Sequence, residues 1–246
     1  MTQIIKQSAT LRNGPVNLSW IFSDQLDEVQ APPVPAETPR LFTVLIPDGA
    51  SIEVTDDLHE LGWINTTLEL LVGTNATLTY TLKATQGIEH VLNGSQLVVD
   101  ATVLNRTINV RLVGQGARAT IRCLCFGFGK KTFKFKTLQD HQAPDATSSL
   151  VIKTVLDDQS QLICHNLIKV QKNAQRTDAE QENKNILLAR GARAVSIPML
   201  EIEADDVRCQ HGAAVSRLDN EHLFYLQSRG LDVQQTRQML IESFLS

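Results

Sequence analysis

The sequence predicts a mainly β chain that closes on a pair of helices, and three observations carry this. Short runs of branched residues alternate with polar ones, as in Leu41–Ile46, Ala76–Leu82, Gln96–Leu104 and Thr107–Val113. A turn followed by a small residue keeps returning between such runs. From Asp219 onward the pattern changes to helical spacing behind a capping aspartate. Period-two alternation gives a strand one buried face, and helical periodicity gives a helix one buried stripe.

Taken in order, residues 1–24 form a short, reduced N-terminal segment. Residues 25–40 read as an exposed linker, because Pro32, Pro33, Pro35 and Pro39 fix φ and lack amide donors. Residues 41–217 form the β core. Its corners appear at Asp48-Gly49-Ala50, Thr74-Asn75-Ala76, Gly114-Gln115-Gly116-Ala117, Asp157–Ser160, Gly191-Ala192 and Gly212-Ala213. Gly and Asn supply positive φ, and Ala fits inside a tight bend. Such a degenerate repeat builds either a solenoid such as a β-helix or a large antiparallel sandwich, and the pattern alone leaves both open. Residues 218–246 form the helical hairpin. Asp219 caps the first helix and Gly230 stops it, Asp232 and Gln235 make a capping box, and Val233, Leu240 and Phe244 recur at helical spacing.

Composition narrows the function classes. Among 246 residues, no apolar run reaches the roughly 20 that a membrane helix needs. The first ten residues hold no signal-peptide h-region, so a cytoplasmic protein with four reduced cysteines is expected. Lys plus Arg number 23 against 27 Asp plus Glu, a net charge of -4, which gives no basic footprint for nucleic acid. At 5% aromatic residues, binding of sugars or single strands by ring stacking is disfavoured.

Several residues carry candidate chemistry. Gly127–Thr132 resembles the tail of a phosphate loop, but position 124 is Leu where the motif needs Gly and no helix follows. A β-turn leading into an exposed basic strand is the better account. Cys123 and Cys125 share one strand face, and Thr120 and Arg122 occupy the other, which favours buried thiols over metal ligands. Adjacent Cys164 and His165 face opposite ways and are expected to be structural. Cys209 and His211 sit two apart on one face, and both are donors suited to iron, zinc or an iron–sulfur cluster. Two ligands do not complete a tetrahedral site, so further donors would come from elsewhere. The competing account is a buried thiol and a hydrogen-bonded imidazole. The acidic run from Glu201 to Asp206 lacks a calcium-loop spacing, and Asp140-His141 lacks a nucleophile elbow.

Seven segments then stand in a familiar order: Asp140–Ser149, Val151–Leu156, Ala174–Asn183, Leu187-Leu188, Ser196–Ile202, Ala204–Ala213 and Leu223–Gly230. Their sequence and spacing resemble the SufB/SufD family, scaffold subunits of the SUF iron–sulfur cluster assembly system. The match is to the SufD side. SufB-type members carry a cysteine in the segment that reads Ala189–Arg193 here, and a Glu-His-Glu pattern where this chain has Cys209-Gln210-His211-Gly212; this chain lacks both.

The resemblance implies a right-handed parallel β-helix and a non-catalytic scaffold that pairs with a SufB-like subunit, or with itself when isolated. It implies that the C-terminal helices dock a SufC-like ABC ATPase, with Phe224, Tyr225, Leu226 and Arg229 as the expected contact. It further implies no stably bound cofactor. A nascent cluster would lie transiently between two chains, with Cys209 and His211 among its ligands. Asn166 stands where the family commonly has glycine, and a left-handed asparagine is expected there. A SufB-like principal scaffold and a β-helix enzyme acting on polysaccharides are the alternatives. The first is disfavoured by the missing cysteine near Arg190, the second by the missing leader and the few aromatics.

Overall fold

The computed structural model describes residues 5–10, 14–17, 40–57, 65–85 and 103–246. Most of the proline-rich linker, and the run from Gln96 to Ala101 read as strand, lie outside the described residues. Fourteen strands and two helices follow in order: β1 (Ile5–Thr10), β2 (Gly14–Asn17), β3 (Arg40–Ile46), β4 (Ser51–Asp57), β5 (Asn65–Val72), β6 (Thr77–Ala84), β7 (Val103–Leu112), β8 (Arg118–Gly127), β9 (Thr132–His141), β10 (Thr147–Leu156), β11 (Gln161–Val170), β12 (Thr177–Leu187), β13 (Arg193–Ile202), β14 (Val207–Ser216), α1 (Asn220–Ser228) and α2 (Val233–Leu245). The odd-numbered strands form one seven-stranded sheet and the even-numbered strands form another. Every pairing is parallel and joins strands two places apart, such as β9 with β11 and β10 with β12. The chain therefore winds as a β-solenoid with one strand per sheet in each turn, which decides against the sandwich. No helix among the described residues is long and apolar enough to cross a membrane.

Alternation sets the register. In β5 and β7 every second residue is buried, so each strand turns one face inward. Parallel pairing then stacks like on like across turns: inward Leu162 lies between Phe133 and Ala194, and inward Cys164 lies between Phe135 and Ser196. Val44, Ile46, Leu70, Val72, Leu78, Leu82, Leu112 and Leu162 are fully buried in one continuous core. Each such side chain contributes about 1.5–3 kcal/mol by leaving water. Cys123, Cys125 and Cys164 belong to this core, as their alternation predicts.

The corners carry the turn chemistry. Gly49, Asn75, Gly116, Asp145 and Arg176 all have positive φ and stack along one edge of the solenoid; Gly129 and Asp158 do the same on the other. Ala50, Ala76, Ala117 and Ala146 follow directly and are buried. At Gly114 a Cβ would collide with the backbone of Gly73 and Thr74, so glycine is required there for close approach of successive turns. Two expectations need correcting. Gly212 lies inside β14 and makes no corner. Asn166 is an ordinary strand residue, and its side chain is what matters: Oδ1 accepts from Thr137 Oγ1 at 3.0 Å and from Cys164 Sγ at 2.8 Å.

The helices differ in their attachment. In α2, Ile241 and Leu245 pack on Phe126, Phe128, Val155 and Ile186, on the outer face of the even sheet. Phe126, Val155 and Ile186 are register neighbours across β8, β10 and β12. Of the residues read at helical spacing, Phe244 packs half-buried against this cluster while Val233 is 61% exposed, and the buried positions of α2 are Thr236, Ile241 and Leu245. Consecutive apolar pairs at the strand ends, Cys125-Phe126, Val155-Leu156 and Ile186-Leu187, break the alternation where α2 lies and were the signal for it.

Candidate functional site

Cys209 and His211 stand on β14, the last strand of the even sheet, whose only strand partner among the described residues is β12. Register places Cys209 beside Ala179 and His211 beside Gln181, both buried positions of β12. The two donors thus share the inward face, as their spacing predicts. They are nonetheless accessible, because no further turn lies over them. His211 is exposed and Cys209 is half-buried. On β13, the last strand of the other sheet, Leu200 and Ile202 continue the inward positions of Ile168 and Val170 yet are 38% and 41% exposed; Val215 on β14 is 52% exposed. The solenoid ends with its interior open.

Local packing tunes the two donors differently. Cys209 packs with Val207 against Ile168, Val170, Ala174, Ala179 and Ala204. Burial there, seconded by the nearby Asp178 carboxylate, pushes the thiol up from its ordinary range. Asp178 is itself held by Arg208, whose Nε donates to Oδ1 at 3.0 Å. Cys209 is therefore mostly a protonated thiol at neutral pH and needs an incoming cation's charge to release its proton. Among the described residues, no three His, Cys, Asp or Glu stand close enough to hold a metal ion. One chain supplies two donors at an open end, and a complete coordination shell requires others from outside it.

Of the four residues singled out on the C-terminal hairpin, Phe224, Tyr225 and Leu226 lie on α1 and Arg229 caps its C-terminal end. Phe224 is 75% exposed and Tyr225 is 55% exposed, Leu226 is half-buried, and the Arg229 guanidinium lies 5.3 Å from the Tyr225 ring centroid. Asp219 caps α1 by accepting from the Glu221 amide at 2.8 Å, and Gly230, at φ 97°, ends it. None of the α1 residues is buried, so the hairpin is anchored to the β body through α2, with Leu218 ahead of α1 half-buried against the same cluster. Exposed aromatics on such a helix are what a partner surface uses.

Residue patterns alone did not reveal the polar interior of the last turns. Gln139, His141, Ser148, Gln181, Asn183 and Asn185 are all buried. Gln139 Nε2 donates to Ser148 Oγ at 2.7 Å, the His141 ring Nε2 lies 2.7 Å from the same hydroxyl, and Asn185 Nδ2 donates to Asn183 Oδ1 at 2.9 Å. Burial pulls His141 down from 6.5 to about 4 against the upward pull of Asp140 and Asp178, so the ring is neutral.

Comparison with known proteins identifies the family. Residues 37–244 match the family model described as the SufBD core domain of SUF system FeS cluster assembly. The chain is 33% identical to the iron-sulfur cluster assembly protein SufD of Escherichia coli (strain K12) over 147 residues, which is 60% of this chain and 35% of that protein. It is 29% identical to Protein ABCI7, chloroplastic, of Arabidopsis thaliana, over 94% of this chain and 52% of that protein. It is 30% identical to SufD of Bacillus subtilis (strain 168), over 59% of this chain and 33% of that protein. The chain thus spans between a third and about half the length of these relatives. With its solenoid matched almost from end to end, the chain belongs to the SufBD family of SUF iron–sulfur cluster assembly.

Proposed function

We propose that this chain is a non-catalytic scaffold subunit of iron–sulfur cluster assembly that joins a SufB-like subunit at the open end of its solenoid. The single observation that carries this reading is the uncapped last turn. Inward-facing Leu200, Ile202 and Val215 are exposed there beside Cys209 and His211. An apolar interior left open at a free strand edge gains by continuing into another chain, both through burial and through ladder hydrogen bonds. Cluster donors on that edge then receive their missing partners from across the interface. The cluster is cargo, held by His211 and, once its thiol is deprotonated, by Cys209. In this reading a SufC-like ATPase hydrolyses ATP and acts on the scaffold through α1, with Phe224 and Tyr225 as the contact supported by Arg229 and Leu226.

Two substitutions test the two surfaces separately. His211→Ala removes an exposed side chain, so pairing persists while iron and acid-labile sulfide in the assembled complex fall severalfold; unchanged contents sink the donor role. Phe224→Ala with Tyr225→Ala leaves α2 and the β body packed and abolishes co-elution with the ATPase from the same organism. This double variant is a sharper test than removing residues 219–246, which would uncover Phe126, Val155 and Ile186.

A further inference from the structure

Directly beneath His211 lies a buried amide with nothing to bond. Gln181 is 3% exposed, and neither its Oε1 nor its Nε2 has a hydrogen-bond partner among the described residues. A buried amide left so costs about 1–3 kcal/mol, so native structures give such groups a protein or water partner. Register makes Gln181 the strand neighbour of His211, with both on the inward face. Neighbouring parallel strands run about 4.8 Å apart, which brings the two side chains within reach of each other.

The neighbouring amides do not compete for this role. Asn183 Oδ1 is already taken by Asn185 Nδ2, and the register partner of Asn183 is Ala213, which offers no polar side chain. Asn185 Nδ2 also donates to the Ala214 carbonyl at 3.2 Å, and its register partner is Val215. Of the three amides on β12, only Gln181 faces a group that has a proton to give.

We propose that Gln181 is the positioning residue for His211: its amide oxygen accepts the inward ring N–H, directly or through one bridging water. The other ring nitrogen is then unprotonated and faces the open end. An imidazole that binds a metal through one nitrogen almost always donates the other to such an acceptor, which fixes both tautomer and ring orientation. The inference rests on the reading of His211 as a cluster donor, but its test does not.

The full chain, labelled with ¹⁵N, is observed by long-range ¹⁵N–¹H correlation at pH about 8, above the ordinary imidazole range. In the native chain His211 shows one dominant tautomer. Gln181→Leu, of similar volume but unable to accept, shifts the ring to the mixture shown by an unfolded peptide covering residues 205–217. Gln181→Glu, which keeps an acceptor, restores the single tautomer. Gln181→Met replaces the leucine variant if circular dichroism shows that one misfolded. Identical His211 tautomers in the native chain and in the leucine or methionine variant overturn the proposal. If the tautomer follows this pattern while His211→Ala chains still build clusters normally, Gln181 keeps its place and the donor role of His211 falls.

Discussion

The turns from β3 to β8 and those from β9 to β14 share one ladder and differ inside it. The earlier interior is almost wholly aliphatic, with Val44, Ile46, Val54, Leu70, Val72, Leu78 and Leu82 fully buried. Its buried charges are gathered in one place: Tyr80 Oη donates to Asp56 Oδ2 at 2.9 Å, and Arg106 stands 3.9 Å from the same carboxylate oxygen. The later interior carries Thr137, Gln139, His141, Ser148, Asn166, Gln181, Asn183 and Asn185, and several of their polar atoms have no partner among the described residues. The contrast teaches where the fold is self-sufficient. A largely apolar stack fills the earlier turns, and the polar interior of the later ones leaves hydrogen bonds to be made by water or by what docks there.

The largest expected effect tests the earlier turns. Asp56→Ala leaves the Arg106 charge buried beside an emptied site, and losing one member of such a pair costs about 3–5 kcal/mol. Urea unfolding of the full chain measures it, and a loss below about 1 kcal/mol would mean that water reaches this part of the core.

A medium effect belongs to the polar end and depends on pH. His141 stays neutral in the fold down to about 4, whereas in the unfolded chain it takes a proton below 6.5. Its contribution is therefore complete above pH 6.5, declines as pH falls to about 4 and changes no further below that, a loss of about 3 kcal/mol. His141→Gln should flatten this part of the stability curve, and an equally steep decline in that variant would move the cause to other groups.

The smallest effect sharpens the contrast. Gln181→Leu exchanges a buried amide for an apolar group of similar volume, so stability should change by less than about 1 kcal/mol. A cost matching that of Asp56→Ala would erase the distinction between the two ends.

How much of this was legible follows the same division. In the earlier turns, Thr77–Ala84 alternates cleanly because one face is apolar and the other polar. In Val103–Leu112 the inward Arg106 interrupts the apolar face, so the sequence reads there as two runs, one ending at Leu104 and one starting at Thr107. In β12, Asp178-Ala-Glu-Gln-Glu-Asn-Lys-Asn185 is polar on nearly every position, so period two leaves no trace and only the family resemblance marked the segment. Corners built on Gly49, Asn75 and Gly116 announce themselves. Those at Asp145 and Arg176 do not, because a left-handed Asp or Arg is held by its surroundings: Arg176 Nε donates to Asp145 Oδ1 at 2.6 Å, and Gln115 Nε2 to Asp145 Oδ2 at 2.9 Å. The shared face of Cys209 and His211 was readable from their spacing. Their openness to solvent was not, since it depends on where the stack of turns ends.

From β7 onward, stacked corners and side chains meet their counterparts about 30 residues away, as in Gly129 with Asp158, Thr137 with Asn166 and Asp145 with Arg176, whereas the earlier turns vary more widely. That near-constant stride is a unit of sequence currency for the later turns. Removing or duplicating one full stride delivers the chain to the same sheet, facing the same way, so whole turns can be gained or lost with the neighbouring turns still paired. Half a stride sends every following strand to the opposite sheet. Solenoids of different length can therefore arise within one lineage while the terminal turn, with its open interior, is carried along unchanged.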